Sequence, residues 1–185
     1  MNTTASDAPD KTTTSGQLPK LTGPIVLAAV YWLICDTFRQ ALAGRIFVTY
    51  DKPDPVTHLE GVGAGDGVVD EFSTDGRLIA RMATGGSLNA PWGVAVAPRG
   101  WGSAAGSLLI GNFGDGRINI FAKEGGRFAD HATGQLLDAA TGKPFAEPGL
   151  WQLLPGTAAT GGTNALWFTA GINDEADGLL GVLRP

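Results

Sequence analysis

The sequence has 185 residues and a formal net charge of −5, with 28 glycines, 11 prolines and 17% charged residues. That length is enough for one domain with a sizeable core, and an acidic balance without basic clusters argues against a nucleic-acid-binding protein. The chain has a single cysteine, Cys35, which excludes an intrachain disulfide framework and a cysteine-based zinc site.

The first 43 residues differ in composition from the rest of the chain. Residues 1–20 are rich in Thr, Ser, Asp, Lys and Pro and lack apolar periodicity, a composition that predicts disorder. Residues 24–35 are apolar without interruption, whereas a membrane span needs about 20 such residues. This shorter length suits the apolar core of a signal peptide, and residues 41–43 supply an A-x-A cleavage pattern.

The apolar stretch at residues 24–35 has further interpretations, because the segment before it is long and carries both acidic and basic residues. These are an uncleaved anchor or interfacial helix, a buried strand or helix, and a mis-translated start. A cleaved signal peptide predicts an exported protein, periplasmic or extracellular. An uncleaved stretch predicts a membrane-anchored protein, with residues 24–35 as its contact with the membrane.

From residue 44 onward, short runs of β-branched and aromatic residues alternate with glycine-rich turns, which predicts an all-β domain over residues 44–185. Asp-Gly pairs mark predicted turns, because a two-residue hairpin needs positive φ, which Gly adopts freely and Asp tolerates. The pairs are Asp66-Gly67, Asp75-Gly76, Asp115-Gly116 and Asp177-Gly178. The predicted strands are residues 45–50, 68–72, 78–82, 94–97, 108–113, 117–121, a weaker strand near 128, 150–154, 165–170 and 179–183.

The turn segments form an internal repeat. Residues 63–72 match residues 112–121 position for position around the turn, and Asp177-Gly178 begins a looser third copy. Repeats of about 40–50 residues with up to four short strands are typical of propeller blades. We therefore predict a partial β-propeller of about three blades, each of up to four antiparallel strands. Because a blade cannot bury both of its faces alone, Trp92, Trp151 and Trp167 are predicted to pack between blades.

The chain resembles an uncharacterised family of bacterial six-bladed β-propeller proteins, which are NHL-like and often exported. The resemblance covers about residues 44–183, and its most specific segments are residues 65–72, 88–93, 111–119 and 168–172. It implies that this sequence corresponds to the C-terminal half of such a propeller. Residues 1–43 do not resemble the preceding blade of that family, and the last blade is predicted to stop after its third strand.

A stack of three blades leaves two apolar blade faces and unpaired strand edges open, which predicts self-association or closure by a partner. The alternative is a truncated product without function. The leading prediction is a non-enzymatic binding or scaffold module whose ligand is unknown, because propeller loops bind proteins, sugars or small molecules without shared chemistry.

The catalytic candidates are few. The histidines, His58 and His131, have polar neighbours and fit no nucleophile elbow, histidine pair or phosphate-binding loop, so both are predicted to be ordinary surface residues.

The acidic candidates lie near the C-terminal end of the sequence. Asp174, Glu175 and Asp177 follow Asn173 closely, and calcium prefers several oxygen ligands. Some propeller hydrolases of the lactonase type hold calcium with such residues, so a calcium-dependent hydrolase is the alternative function. The competing interpretation is a solvated turn, and Asp66, Asp115 and Asp177 are predicted to be structural residues of hairpin turns. Apart from calcium, no cofactor is expected.

Overall fold

The computed structural model describes residues 40–42, 44–56 and 60–185. Within these ranges the chain forms β-strands and turns, with one 3₁₀ turn at Gly102–Ala104. No helix in this part is long and apolar enough to cross a membrane. The strands are β1 (Gln40–Leu42), β2 (Arg45–Tyr50), β3 (Lys52–Pro53), β4 (Glu60–Gly61), β5 (Val68–Ser73), β6 (Leu78–Thr84), β7 (Pro91–Val96), β8 (Leu108–Asn112), β9 (Ile118–Phe121), β10 (Lys123–Glu124), β11 (Arg127–Phe128), β12 (Gly134–Gln135), β13 (Leu150–Pro155), β14 (Leu166–Ile172) and β15 (Asp177–Leu183).

The strands form three main antiparallel sheets, which we call blades 1, 2 and 3. Blade 1 has the order β1-β2-β5-β6, blade 2 the order β7-β8-β9-β12, and blade 3 the order β13-β14-β15. The pairs β3-β4 and β10-β11 are separate two-stranded hairpins. The predicted fold class, an all-β partial propeller of about three blades with up to four strands each, is confirmed.

The blades stack through two apolar layers on opposite sides of blade 2. Side chains alternate along a strand, so neighbours such as Leu109 and Ile110 on β8 point to opposite faces. One buried layer joins blade 1 to blade 2 and contains Phe47, Val69, Met82, Ala83, Leu88, Val94, Leu108, Ile110 and Phe121. The other joins blade 2 to blade 3 and contains Ala95, Ala97, Trp101, Ala104, Leu109, Ile118, Leu150, Leu153, Leu166 and Phe168.

Within the part of the chain that the structure describes, the tryptophan buried between blades is Trp101, not one of the three that the sequence singled out. Trp101 is in the layer between blades 2 and 3, and its Nε1 donates to the Asn164 carbonyl at 2.9 Å. Trp92, Trp151 and Trp167 are half-buried and belong to neither layer. Trp101 follows Pro98 in a Gly-rich loop, where no strand pattern indicates burial.

Two of the predicted Asp-Gly turns are wrong. Asp177 and Gly178 lie inside β15, where Asp177 pairs with Ile172, so the turn falls earlier, at residues 173–176. Asp66 is not at a hairpin turn, because it forms an isolated parallel bridge with Asn89. In both places the turn is formed by residues next to the Asp-Gly pair, which include glycines or acidic residues.

The N-terminal part of the prediction lies largely outside the described residues, including residues 1–20 and the apolar stretch at 24–35. β1 begins before the predicted domain boundary at residue 44, and Gln40 pairs with Phe47 of β2. A signal-peptide cleavage after residue 43 would therefore remove one strand of blade 1.

Candidate functional site

A cleft of about 200 Å³ opens between blade 1 and blade 2. One wall is the end of β6 with the loop that follows it, and the other is Phe121 with residues 130–132. The cleft is lined by apolar side chains and by hydroxyl, carboxylate and imidazole groups. Its lining residues are Ala83, Thr84, Gly85, Gly86, Ser87, Phe121, Asp130, His131 and Ala132.

Two fully buried asparagines hold the loop that carries Ser87. Asn112 on β8 and Asn119 on β9 donate from Nδ2 to the Ser87 carbonyl, at 2.9 and 3.1 Å. Gln135 donates in turn to Asn119 Oδ1 at 3.1 Å. A buried amide stabilises a fold only when it is hydrogen-bonded, so these residues position the cleft loop. Neither asparagine was predicted from the sequence, although Asn119 interrupts the apolar strand β9 and Asn112 ends β8.

His131 lines this cleft as an exposed side chain. Its Nδ1 lies 2.8 Å from Oδ1 of Asp130, which is also exposed. The pair joins two consecutive residues of a loop, as an ordinary surface ion pair does. The other histidine that was considered, His58, lies outside the described residues.

His131→Gln is expected to raise the pKa of the Asp130 carboxyl toward its ordinary value. In the wild-type protein this pKa is lowered, because His131 hydrogen-bonds to the carboxylate and its charge favours the ionised form. The hydrogen-bonded Asp130 carboxylate stabilises the fold above the unfolded-state pKa of the carboxyl, and this effect disappears as the pH falls through the lowered folded-state pKa. NMR titration of the aspartate carboxyl carbons measures the change.

Asp138 is the internal control for this titration. Its carboxyl pKa is lowered by hydrogen bonds from Thr141, which His131 does not touch, so it should titrate identically in both proteins. An Asp130 curve that does not move in the variant contradicts the assignment.

Two of the predicted metal residues, Asp174 and Glu175, lie in the turn between β14 and β15, and Asp177 is the first residue of β15. Asn173, Asp174 and Glu175 have φ values of 54°, 53° and 63°, three consecutive left-handed residues. Glu175 accepts a hydrogen bond from Trp151 Nε1 at 3.0 Å, and Asn173 Nδ2 donates to Asp177 Oδ2 at 2.8 Å. These contacts tie two of the three carboxylates to the turn and to blade 3.

Within the described ranges, no group of three or more His, Cys, Asp or Glu side chains is arranged to hold a metal ion. Calcium binding by Asp174, Glu175 and Asp177 stays a prediction of the sequence. Its measurement is the melting temperature with and without calcium, because an ion that binds the folded state raises it. Asp177→Ala should abolish any such rise.

The face of blade 3 that points away from blade 2 is apolar and exposed, and we call it the trailing face of blade 3. Leu154 pairs with Trp167, Trp167 with Val182, and Thr169 with Leu180, so these side chains share one face. Leu154 is 50%, Leu180 66% and Val182 38% exposed. Trp167 Nε1 donates to the Thr160 carbonyl at 2.8 Å, so the indole is already hydrogen-bonded.

The face of blade 1 that points away from blade 2 also carries apolar side chains, and we call it the leading face of blade 1. Phe47 and Thr49 of β2 point toward blade 2, where Thr49 Oγ1 donates to the Trp92 carbonyl at 3.1 Å. The alternate side chains of β2 and their partners on β5 and β6 therefore share the opposite face. They are Ile46, Val48, Tyr50, Val68, Asp70, Phe72 and Leu78.

Asp70 is the acidic residue of this leading face, and it is neutralised locally. It is buried, and Arg81 donates to its two oxygens at 2.9 and 3.2 Å. Burial and the nearby Asp70 carboxylate raise the pKa of the Tyr50 hydroxyl, which keeps the phenol neutral. The charge on this face is therefore paired within blade 1.

The comparisons with known proteins give relatives but no family. No family model and no solved structure matches the chain. It is similar to an uncharacterised protein of Acanthamoeba polyphaga mimivirus, 36% identical over 137 residues, which cover 74% of this chain and 32% of the relative.

Two further uncharacterised proteins of the same virus are also similar. One is 36% identical over 139 residues, 75% of this chain and 35% of the relative. The other is 38% identical over 89 residues, 48% of this chain and 15% of the relative. The chain thus spans about one third or less of the length of these curated relatives.

Proposed function

We propose that this chain is a propeller-type binding or scaffold module that docks protein through its open blade faces. The observation that carries the proposal is the trailing face of blade 3, where Leu154, Leu180 and Val182 are exposed side by side. Single exposed apolar residues are common on protein surfaces, but a contiguous set on one sheet face is typical of an interaction site. The resemblance to longer propellers supports the same conclusion.

The chemistry of this face suits a protein surface. Burying exposed leucine and valine side chains contributes about 25 cal/mol per Å² of apolar area, and flat sheet faces supply such area without a deep pocket. The polar group at its centre, the Trp167 indole, keeps its hydrogen bond to Thr160 when the face is covered.

Leu180→Glu is expected to weaken association of the full chain by at least about tenfold, because a carboxylate would be buried in an apolar contact. Sedimentation velocity over a range of protein concentrations measures the change. We expect wild-type protein to associate as its concentration rises, and the variant to remain a folded monomer. Circular dichroism checks the fold, which an exposed position should preserve.

Leu137→Glu is the matched control, because Leu137 is 57% exposed, forms an isolated bridge with Pro144 and belongs to no strand of blade 1 or blade 3. This control should associate like the wild-type protein. A wild-type chain that stays monomeric at every concentration, or equal losses in the two variants, contradicts docking through blade 3.

A further inference from the structure

The two interfaces between blades follow one rule. At the first, the face of blade 1 with Phe47 and Val69 packs on the face of blade 2 with Val94 and Ile110. At the second, the opposite face of blade 2, which carries Leu109, packs on the face of blade 3 with Leu150 and Phe168. In both, the face that points toward later blades, which we call trailing, meets the leading face of the next blade. No trailing face meets another trailing face in the described structure.

The open faces are the two halves of this same kind of interface. Blade 3 presents a trailing face with Leu154, Leu180 and Val182, and blade 1 presents a leading face with Ile46 and Leu78. Leu78, at 52% exposed, is accessible like the blade 3 residues. A second copy of the chain therefore carries the matching half for each open face.

The polar groups of both faces allow such a contact. On blade 1, Asp70 and Arg81 neutralise each other across β5 and β6. On blade 3, the Trp167 indole is bonded to its own loop. Burial of these faces would therefore leave the Asp70–Arg81 pair and the Trp167 indole with their partners, and it is the desolvation of unpaired groups that opposes association.

We propose that the trailing face of blade 3 docks on the leading face of blade 1 of a second copy, so that two copies close one ring through two equivalent contacts. This inference rests on the proposed docking function and names its partner. A contact between unlike faces forms a closed ring when its rotation closes, and an open filament when it does not. The contact continues the stacking that already joins blade 1 to blade 2 and blade 2 to blade 3.

Complementation between two variants of the full chain tests this geometry. Leu180→Glu disrupts the trailing face of blade 3 and leaves blade 1 intact, whereas Leu78→Glu disrupts the leading face of blade 1 and leaves blade 3 intact. Each variant alone lacks one half of every contact, so light scattering should report a monomer for each. An equimolar mixture restores one wild-type contact and should give a particle of two chains, at least tenfold weaker than the wild-type dimer.

The outcomes separate this inference from the proposed function. If Leu78→Glu alone still forms dimers while Leu180→Glu does not, blade 3 docks on itself, which overturns the inference and leaves the docking function standing. A mixture of folded variants that stays monomeric, or wild-type particles larger than two chains, also overturns it. Unchanged association in both variants overturns the inference and the docking function together.

Discussion

Gly116→Ala should lower the free energy of unfolding by about 3 kcal/mol, the sum of a strained φ and an overpacked contact. Gly116 has a φ of 68°, a left-handed conformation that alanine adopts at a cost. A Cβ at this position would also overlap the backbone of Glu147, whose N–H donates to the Gly116 carbonyl at 3.0 Å. The overlapping atoms belong to the Glu147 backbone and not to the end of a flexible side chain, so the backbone at Gly116 or at Glu147 must move. Urea unfolding followed by circular dichroism measures the loss.

Gly76→Ala separates the two causes, because Gly76 lies in the turn between β5 and β6 with a φ of 86°, and an added Cβ there would meet no atom within 4 Å. This control should cost only the conformational part, about 1–2 kcal/mol. Equal losses in the two variants would mean that the close approach to Glu147 contributes nothing.

These two turns also show why the local structure could be read from the sequence. Asp75-Gly76 and Asp115-Gly116 each connect strands of one sheet, and in each the glycine supplies the positive φ that the turn needs. The flanking apolar residues alternate with the strand period, so all of the predicted strands correspond to observed ones. Short-range chemistry of this kind acts within a few residues, which is the range that a sequence pattern reports.

Pairing between strands explains the errors. Asp177-Gly178 has the composition of a turn, but pairing with Ile172 and Gly171 draws it into β15. The three left-handed residues at 173–175 form the turn instead, although none of them is glycine. β12, two residues long, is absent from the predicted strands because Gly134 and Gln135 have no strand pattern and are held by pairing to β9.

The candidate site was less predictable than the fold. The cleft beside Ser87 is built from two loops that are more than 40 residues apart in the sequence, and buried Asn112 and Asn119 fix one of them. The stacking of the blades on one another was anticipated, because a repeat of this kind cannot bury both of its faces alone. Which side chains lie on those faces depends on strand register, which the bulges at Val69 and Trp151 shift.

Leu109→Ala and Ile110→Ala are each expected to lower the free energy of unfolding by about 2–5 kcal/mol, the range for deleting a fully buried branched side chain. Both residues are 0% exposed on β8, the second strand of blade 2. Leu109 fills the layer toward blade 3 and Ile110 the layer toward blade 1. The two losses therefore test the two interfaces separately with neighbouring residues of one strand.

The shape of the unfolding curve carries the stronger argument. Because both apolar layers share blade 2, the described blades should unfold in one transition, and either variant should shift its midpoint at an unchanged urea dependence. Leu137→Ala, at a 57% exposed loop position, should shift it by less than about 1 kcal/mol. If Ile110→Ala instead splits the curve, blade 1 is stabilised independently of the blade 2–blade 3 pair. Blade 1 would then unfold without unfolding the other two blades.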